Sequence, residues 1–170
     1  AFAGLSTLVP ESMFSNIVFV AVGIGLMWGV LDLFRRYDSK FFAYYLMHDY
    51  AFSAQFSGEN PPQLLARIDD FAEIVERKLT EDYDEILIIG HSSGAHLAIS
   101  ILANLYRRSS IQKSGSVLSF LTLGQVVPMV SFLPKANRLR ADLHLMGKQD
   151  SVSWIDITAP GDGCAFALCD

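Results

Sequence analysis

The segment from Asp84 to Ser100, DEILIIGHSSGAHLAIS, constrains the fold more than any other part of the chain. Branched apolar residues run up to Gly90, as in a buried β-strand, and a small-residue helical pattern follows directly. Gly90 and Gly94 flank Ser92 in a Gly-x-Ser-x-Gly spacing. A serine at the tip of a sharp strand-to-helix turn forces the residues two before and two after it close together, so glycine is expected at both positions. The segment therefore predicts a strand, a tight turn with an exposed serine hydroxyl, and a helix.

The rest of the chain after residue 40 also alternates strand and helix patterns. Four apolar runs predict strands at Phe41 to His48, 85–90, 117–124 and 152–158. Between them, apolar residues at helical spacing predict helices over 64–79, 93–108 and 134–150. Strands that alternate with helices at short spacing predict an α/β fold with a mostly parallel sheet covered on both faces, a three-layer α/β/α sandwich.

An uncharged segment precedes this region. No charged residue occurs among the 20 positions from Ser12 to Leu31, which is the length that spans a bilayer. Trp28 lies toward its far end, and Arg35, Arg36 and Lys40 follow it. This pattern predicts a transmembrane helix at about residues 13–34 whose following chain is cytoplasmic. The expected organisation is an apolar segment over 1–40 and an α/β region over 41–170.

Two other interpretations of the apolar segment stay open at this stage. It can be a buried helix of a soluble core, because Ser12, Ser15 and Asn16 weaken its first turn. It can also be a strand that runs into a glycine-rich turn, with Gly23, Gly25 and Gly29 in a loose image of a dinucleotide-binding motif and Asp49 at the end of the next apolar run.

From about Phe41 onward the chain resembles the α/β-hydrolase fold, and GHSSG at 90–94 is similar to the nucleophile elbow of its lipases and esterases. The resemblance implies that the four predicted strands are the fourth to seventh of that fold, and that Ser92 is the nucleophile. It also implies that the backbone N–H of Ser93 binds the oxyanion of a tetrahedral intermediate. The expected function is a serine hydrolase acting on a carboxylic ester or other acyl substrate, with lipid substrates suggested only by the membrane segment.

A catalytic triad also needs an acid and a histidine, which the family places after the serine in that order. Asp162, in a Pro-Gly turn after the last predicted strand, is the expected acid, and Asp156 within that strand is the alternative. The chain has four histidines, which are His48, His91, His96 and His144. All precede Asp162, so the resemblance implies that the 170 residues are a fragment of low activity whose catalytic histidine lies outside them. His96, one helical turn after Ser92, is expected to be a packing residue.

Composition excludes other classes of function. A formal net charge of −5 leaves no basic face for a phosphate backbone, so nucleic acid is not an expected partner. Cys164 and Cys169 fit neither a disulfide framework nor a zinc site, and we expect idle thiols. No cofactor or metal is predicted; the expected partners are a small ester or lipid substrate and the membrane. Two further functions stay open, an acyltransferase on the same serine and a membrane-associated module that keeps the fold without catalysis.

Overall fold

The computed structural model describes residues 11–41, 43–111, 115–162 and 165. Within them the chain forms seven α-helices and three β-strands, and it divides into two units between His48 and Asp49. The elements in chain order are α1 (Glu11–Arg36), α2 (Asp38–Phe41), α3 (Ala43–Gln55), α4 (Pro62–Leu79), β1 (Glu85–His91), α5 (Ser93–Arg107), β2 (Val117–Leu123), α6 (Val127–Ser131), α7 (Asn137–Met146) and β3 (Val152–Ile157).

Helix α1 confirms the helix predicted over the apolar segment. Its 26 residues rise about 39 Å at 1.5 Å per residue, more than the ~30 Å of a bilayer's hydrocarbon core. Within Ser15–Arg36, a window of 18 residues has a mean hydropathy of 2.3, and none of that window is buried. By length and composition this helix can cross a membrane, and signal sequences meet the same criteria. The strand-to-turn interpretation is wrong, because Gly23, Gly25 and Gly29 all lie inside the helix.

The strand predicted from Phe41 to His48 is also wrong, because the described residues of this run, 41 and 43–48, belong to α2 and α3. The Asp38 carboxylate accepts hydrogen bonds from the backbone N–H of Tyr44 (2.6 Å) and of Tyr45 (3.2 Å). These are N–H groups of the first turn of α3, which have no partner inside the helix, so the aspartate stabilises the helix start. The Tyr44 and His48 rings, one turn apart, pack edge to face with their centroids 4.5 Å apart.

The remaining three predicted strands are confirmed and form one parallel sheet in the order β1-β2-β3. Ile88 lies opposite Phe120, which in turn lies opposite Trp154, so these residues share one face of the sheet. The carboxyl ends of all three strands meet at one edge, and the chain passes from β1 into α5 there. Candidate site residues that follow the strands are therefore collected at this edge.

Helices α4, α5 and α7 bury the face of the sheet that carries Phe120. The core contains, among others, Ala72 of α4, Ile99 and Leu102 of α5, and Leu139 of α7. The opposite face is apolar and exposed, and its side chains include Leu87, Ile89, Val117, Ile155 and Ile157, each 52–59% exposed. Within the described residues the sheet is thus covered on one face, and the second helical layer expected from the sequence is not formed there.

A buried carboxylate joins helices α5 and α7. Asp142 is fully buried, and its oxygens accept hydrogen bonds from the Ser100 hydroxyl at 2.8 Å and the Arg107 guanidinium at 2.5 Å. Buried charge is tolerated only where it is paired and hydrogen-bonded. This contact fixes α7 against the helix that carries the Gly-x-Ser-x-Gly segment.

Candidate active site

Ser92 occupies the junction between β1 and α5 in a strained backbone conformation. Its φ of 54° and ψ of −123° lie outside the wells that a non-glycine residue ordinarily adopts, at a cost of about 1–3 kcal/mol. Its N–H donates to the Leu123 carbonyl at 3.0 Å, and its carbonyl accepts from Ala95 N–H at 3.1 Å. The strand end and the first helical turn therefore hold the serine in this conformation.

Other serines have positive φ, but in a different setting. Ser57 and Ser109 have φ of 55° and 56°, and each lies two residues after the end of a helix, where left-handed residues are common. Ser92 instead precedes a helix and follows a strand, and it is half-buried. The strain at Ser92 is thus tied to the strand-to-helix turn.

The two glycines that flank Ser92 differ in the space that a larger side chain would have. A Cβ added at Gly90 would lie 2.7 Å from Ala95 Cα and 3.1 Å from Ala95 N, and backbone atoms cannot move aside. At Gly94 nothing among the described residues lies within 4 Å of an added Cβ. The predicted steric need for glycine is therefore confirmed at Gly90 and wrong at Gly94.

Ser93, the predicted oxyanion donor, is the first residue of α5. The first N–H groups of a helix have no intrahelical partner and point along the positive end of its dipole. A negative charge that develops on an oxygen near Ser92 would face this helix end. The position of Ser93 is therefore compatible with the predicted role, since the turn places its amide directly after the serine.

Asp162, the expected acid, lies at the same edge of the sheet as Ser92. Its Oδ2 would be 3.0 Å from a Cβ added at Gly124, the residue that follows β2. Gly124 N–H donates to the Ile157 carbonyl at 2.9 Å, while the preceding Leu123 carbonyl accepts from Ser92. The carboxylate therefore sits above the end of the central strand, and the side chain is exposed.

Asp156, the alternative acid, is bound within the sheet. Its Oδ1 accepts a hydrogen bond from the Thr122 hydroxyl at 2.6 Å, and its Oδ2 accepts one from Thr158 at 3.4 Å. Thr122 is fully buried and also accepts a hydrogen bond from Trp154 Nε1 at 3.1 Å. These contacts join β2 to β3, so Asp156 has a structural role in the sheet.

The four histidines have very different surroundings. His48 lies in helix α3, not at the end of a strand, and His91 and His144 are exposed. His96 is only 8% exposed, and burial lowers its pKa to about 4, with the nearby Asp49 carboxylate opposing the shift. His96 is thus a buried, neutral imidazole at neutral pH, consistent with the expected packing position.

A small cavity lies beside the start of α5, and no pattern in the sequence predicted it. Its volume is about 70 Å³, and its wall includes Asp49, Asn60, Ser93, His96 and Val130. Ser93 and His96 are three positions apart on one helix, a spacing that places them on one face. Asp49 lines the cavity from helix α3, which the sequence pattern did not predict. We call this space the elbow cavity.

Among the residues that the structure covers, no group of three or more His, Cys, Asp or Glu side chains is placed to hold a metal ion. Cys164 and Cys169, whose thiols were expected to be idle, lie outside the described residues. Comparisons of the chain with protein-family models, with curated proteins and with solved structures found no match. The geometry at Ser92 therefore carries the functional argument.

Proposed function

We propose that the protein is a serine hydrolase that cleaves a carboxylic ester or related acyl substrate with Ser92 as its nucleophile. The observation that carries the proposal is the backbone of Ser92, with φ 54° and ψ −123° at a strand-to-helix junction. A turn that merely joined a strand to a helix would relax or contain glycine at this position. Strain at a polar residue with a hydroxyl at the edge of a sheet is typical of a functional site.

The proposed reaction uses the groups at the carboxyl edge of the sheet. The Ser92 hydroxyl loses its proton to a histidine as its oxygen attacks the acyl carbon, and the resulting oxyanion is stabilised by the N-terminus of α5, including Ser93 N–H. Collapse of the intermediate expels the alcohol, which takes the proton from the histidine, and water then hydrolyses the acyl-enzyme. We assign Asp162 the role of orienting that histidine.

We also propose that the three strands are part of a larger α/β-hydrolase core. The face of the sheet that the helices leave open exposes more than half of Leu87, Ile89 and Ile155. Exposed apolar surface of this extent on adjacent strands is uncommon in a complete, independently folded domain. A further helical layer over this face would complete the three-layer sandwich expected from the sequence.

We propose that α1 anchors the enzyme in a membrane, with the catalytic unit on the cytoplasmic side. The support is its length, its exposed apolar surface, and the basic pair Arg35 and Arg36 in its last turn. Extraction of membranes with alkaline carbonate tests the anchor: the protein should stay in the pellet. Recovery in the supernatant would contradict it.

Covalent labelling tests the nucleophile. In the natural full-length protein, an alkyl fluorophosphonate should label one serine, and peptide mapping should place the adduct on Ser92. Ser92→Ala should abolish labelling, whereas the matched variant Ser93→Ala should keep it, because Ser93 contributes its backbone amide. A full-length protein that folds but is not labelled would refute the hydrolase proposal and favour a non-catalytic role.

A further inference from the structure

The elbow cavity contains a buried polar group with unused hydrogen-bonding capacity. The His96 imidazole lines the cavity, is only 8% exposed, and makes no hydrogen bond to any residue in the described part of the chain. No side-chain nitrogen or oxygen in that part is both inaccessible and unpartnered, so the ring nitrogens of His96 keep some accessible surface, and the cavity that the ring lines is the space beside it. A buried imidazole without a protein partner calls for a small molecule or water in this space.

The wall of the cavity is held in place by close contacts. Gly58 has a φ of 85°, and a Cβ added there would lie 2.8 Å from Leu133 Cβ and 2.9 Å from Ala136 Cβ. The Ser57 carbonyl accepts a hydrogen bond from Lys135 N–H at 2.9 Å. The loop after α3, which supplies Gly58 to the cavity wall, thus packs closely against the segment between α6 and α7. These contacts define the shape of the cavity on that side.

The size and charges of the cavity limit what it can hold. A cavity of about 150 Å³ holds one benzene molecule, so a cavity of about 70 Å³ accepts a group of roughly two to four non-hydrogen atoms. Asp49 and Glu59 line it and disfavour an anion. The attraction for a cation is weak as well, because Glu59 is paired with Lys135 at 4.0 Å and the positive end of α5 at Ser93 partly offsets the charge of Asp49. Phe52 and Leu97 supply apolar wall. The neutral imidazole offers one N–H donor and one acceptor nitrogen. A small neutral group with one hydrogen-bond acceptor and one donor is complementary to it.

We propose that the elbow cavity binds a short neutral polar group, such as a primary amide or a hydroxylated two- or three-carbon acyl chain, through His96. Ser93 belongs both to the cavity wall and to the helix start beside Ser92. Ser92 directly precedes Ser93 in the turn, and in this proposal a substrate attached to Ser92 places its small end in the cavity. This assignment of the substrate as a short-chain acyl compound rests on the proposed function; the binding site itself does not.

Binding of acetamide tests the site without catalysis. The full chain, in detergent micelles at pH 7.5, is titrated with acetamide while the imidazole ¹⁵N resonances of His96 are followed by NMR. We expect a saturable shift with a Kd in the millimolar range, as for a ligand of so few atoms. Acetate and methylammonium, which have similar size but carry a charge, should each bind at least about tenfold more weakly. Saturable binding of either ion as tight as that of acetamide would overturn the neutral-ligand assignment, and a resonance unmoved by acetamide would mean that the cavity holds water only.

Two variants separate the site from a general effect on folding. Val130→Phe fills the cavity, and His96→Leu removes the imidazole; both should abolish saturable acetamide binding, followed for His96→Leu through the Ser93 amide. His144→Leu, on the exposed surface of α7, is the matched control and should bind as the wild type does. Should Val130→Phe fail to fold, the His96→Leu result decides. Unchanged binding in a folded His96→Leu variant would overturn the proposal.

The substrate assignment has its own readout. In the natural full-length protein, a fluorophosphonate with an ethyl group should label Ser92 at least about tenfold faster than one with a decyl group, and Val130→Phe should remove the preference. Equal rates for both probes would overturn the short-chain assignment. Absence of labelling by either probe would count against the proposed function, and the acetamide titration would then still decide the binding site.

Discussion

The buried His96 should make the stability of the protein depend on pH in a specific window. Its native pKa is about 4, against an ordinary value of 6.5. Between these values the unfolded chain takes up a proton on this histidine and the native protein does not, so stability falls as the pH falls. A pKa gap of about 2.5 at 1.36 kcal/mol per unit amounts to about 3 kcal/mol in total, of which about 2 kcal/mol is already lost at pH 5. Above about pH 7.5, where the histidine of the unfolded chain is also neutral, the group contributes almost no slope.

Urea unfolding at pH 7.5 and pH 5.0 measures this effect. Trp154 is half-buried and hydrogen-bonded to Thr122, so its fluorescence reports on the unit that holds His96, in a background where Trp28 of α1 is replaced by Phe. Carboxylates also titrate near pH 5, so the informative quantity is the difference between wild type and His96→Leu. The variant should lose about 2 kcal/mol less than the wild type over this interval.

Two outcomes would separate this reasoning from its alternatives. His144→Leu removes an exposed histidine and should keep the wild-type slope, which controls for the loss of a histidine as such. An equal loss of the free energy of unfolding by the wild type and His96→Leu between pH 7.5 and 5.0 would mean that native His96 takes up a proton as readily as the unfolded chain does. That result would refute the effect of burial on its pKa. The elbow cavity would then be hydrated well enough to stabilise the charged ring.

The other predictions concern the backbone of the turn and the buried carboxylate, and urea unfolding measures each of them. Gly90→Ala should lower the free energy of unfolding by about 2–3 kcal/mol, because the added Cβ meets backbone atoms. Gly94→Ala should raise it by about 1 kcal/mol, because alanine favours a helix and the added Cβ meets no described atom. Equal effects of the two substitutions would contradict the steric explanation. Ser92→Gly should raise the free energy of unfolding by about 1 kcal/mol or more, because glycine adopts a φ of 54° without strain. The same substitution removes the proposed nucleophile. A lower free energy of unfolding would show that the serine is unstrained. Asp142→Ala should lower the free energy of unfolding by about 2 kcal/mol. This is less than for a fully buried ion pair, because the Arg107 side chain is 43% exposed. An unchanged free energy of unfolding would exclude a structural role for this contact.

Much of the second unit could be predicted from local patterns. The periodic apolar residues of α4, the branched runs of β1, β2 and β3, and the glycine spacing around Ser92 each depend on neighbours a few positions away. Those signals survive in any tertiary setting, and the structure confirms the elements that they predict. The apolar segment of α1 is predictable for the same reason, since it has helical length and no charge.

The residues from 41 to 48 show where a local pattern is insufficient. An apolar run of eight residues has no clear period, so it fits a buried strand and a helix equally well. The Asp38 carboxylate decides the matter by accepting hydrogen bonds from Tyr44 and Tyr45. This contact spans six and seven positions across a bend, which a period-based argument does not detect.

The sequence by itself determined that a serine stands between a strand and a helix, because the spacing of Gly90, Ser92 and Gly94 is a local steric pattern. It did not determine that Gly90 alone is sterically required, since that depends on how closely the strand end approaches Ala95. Nor did it determine the state of His96, because burial is set by residues of α3 and α6 that are distant in the chain. The desolvation of a side chain is a sum over all its spatial neighbours, and only the tertiary structure decides which residues those are.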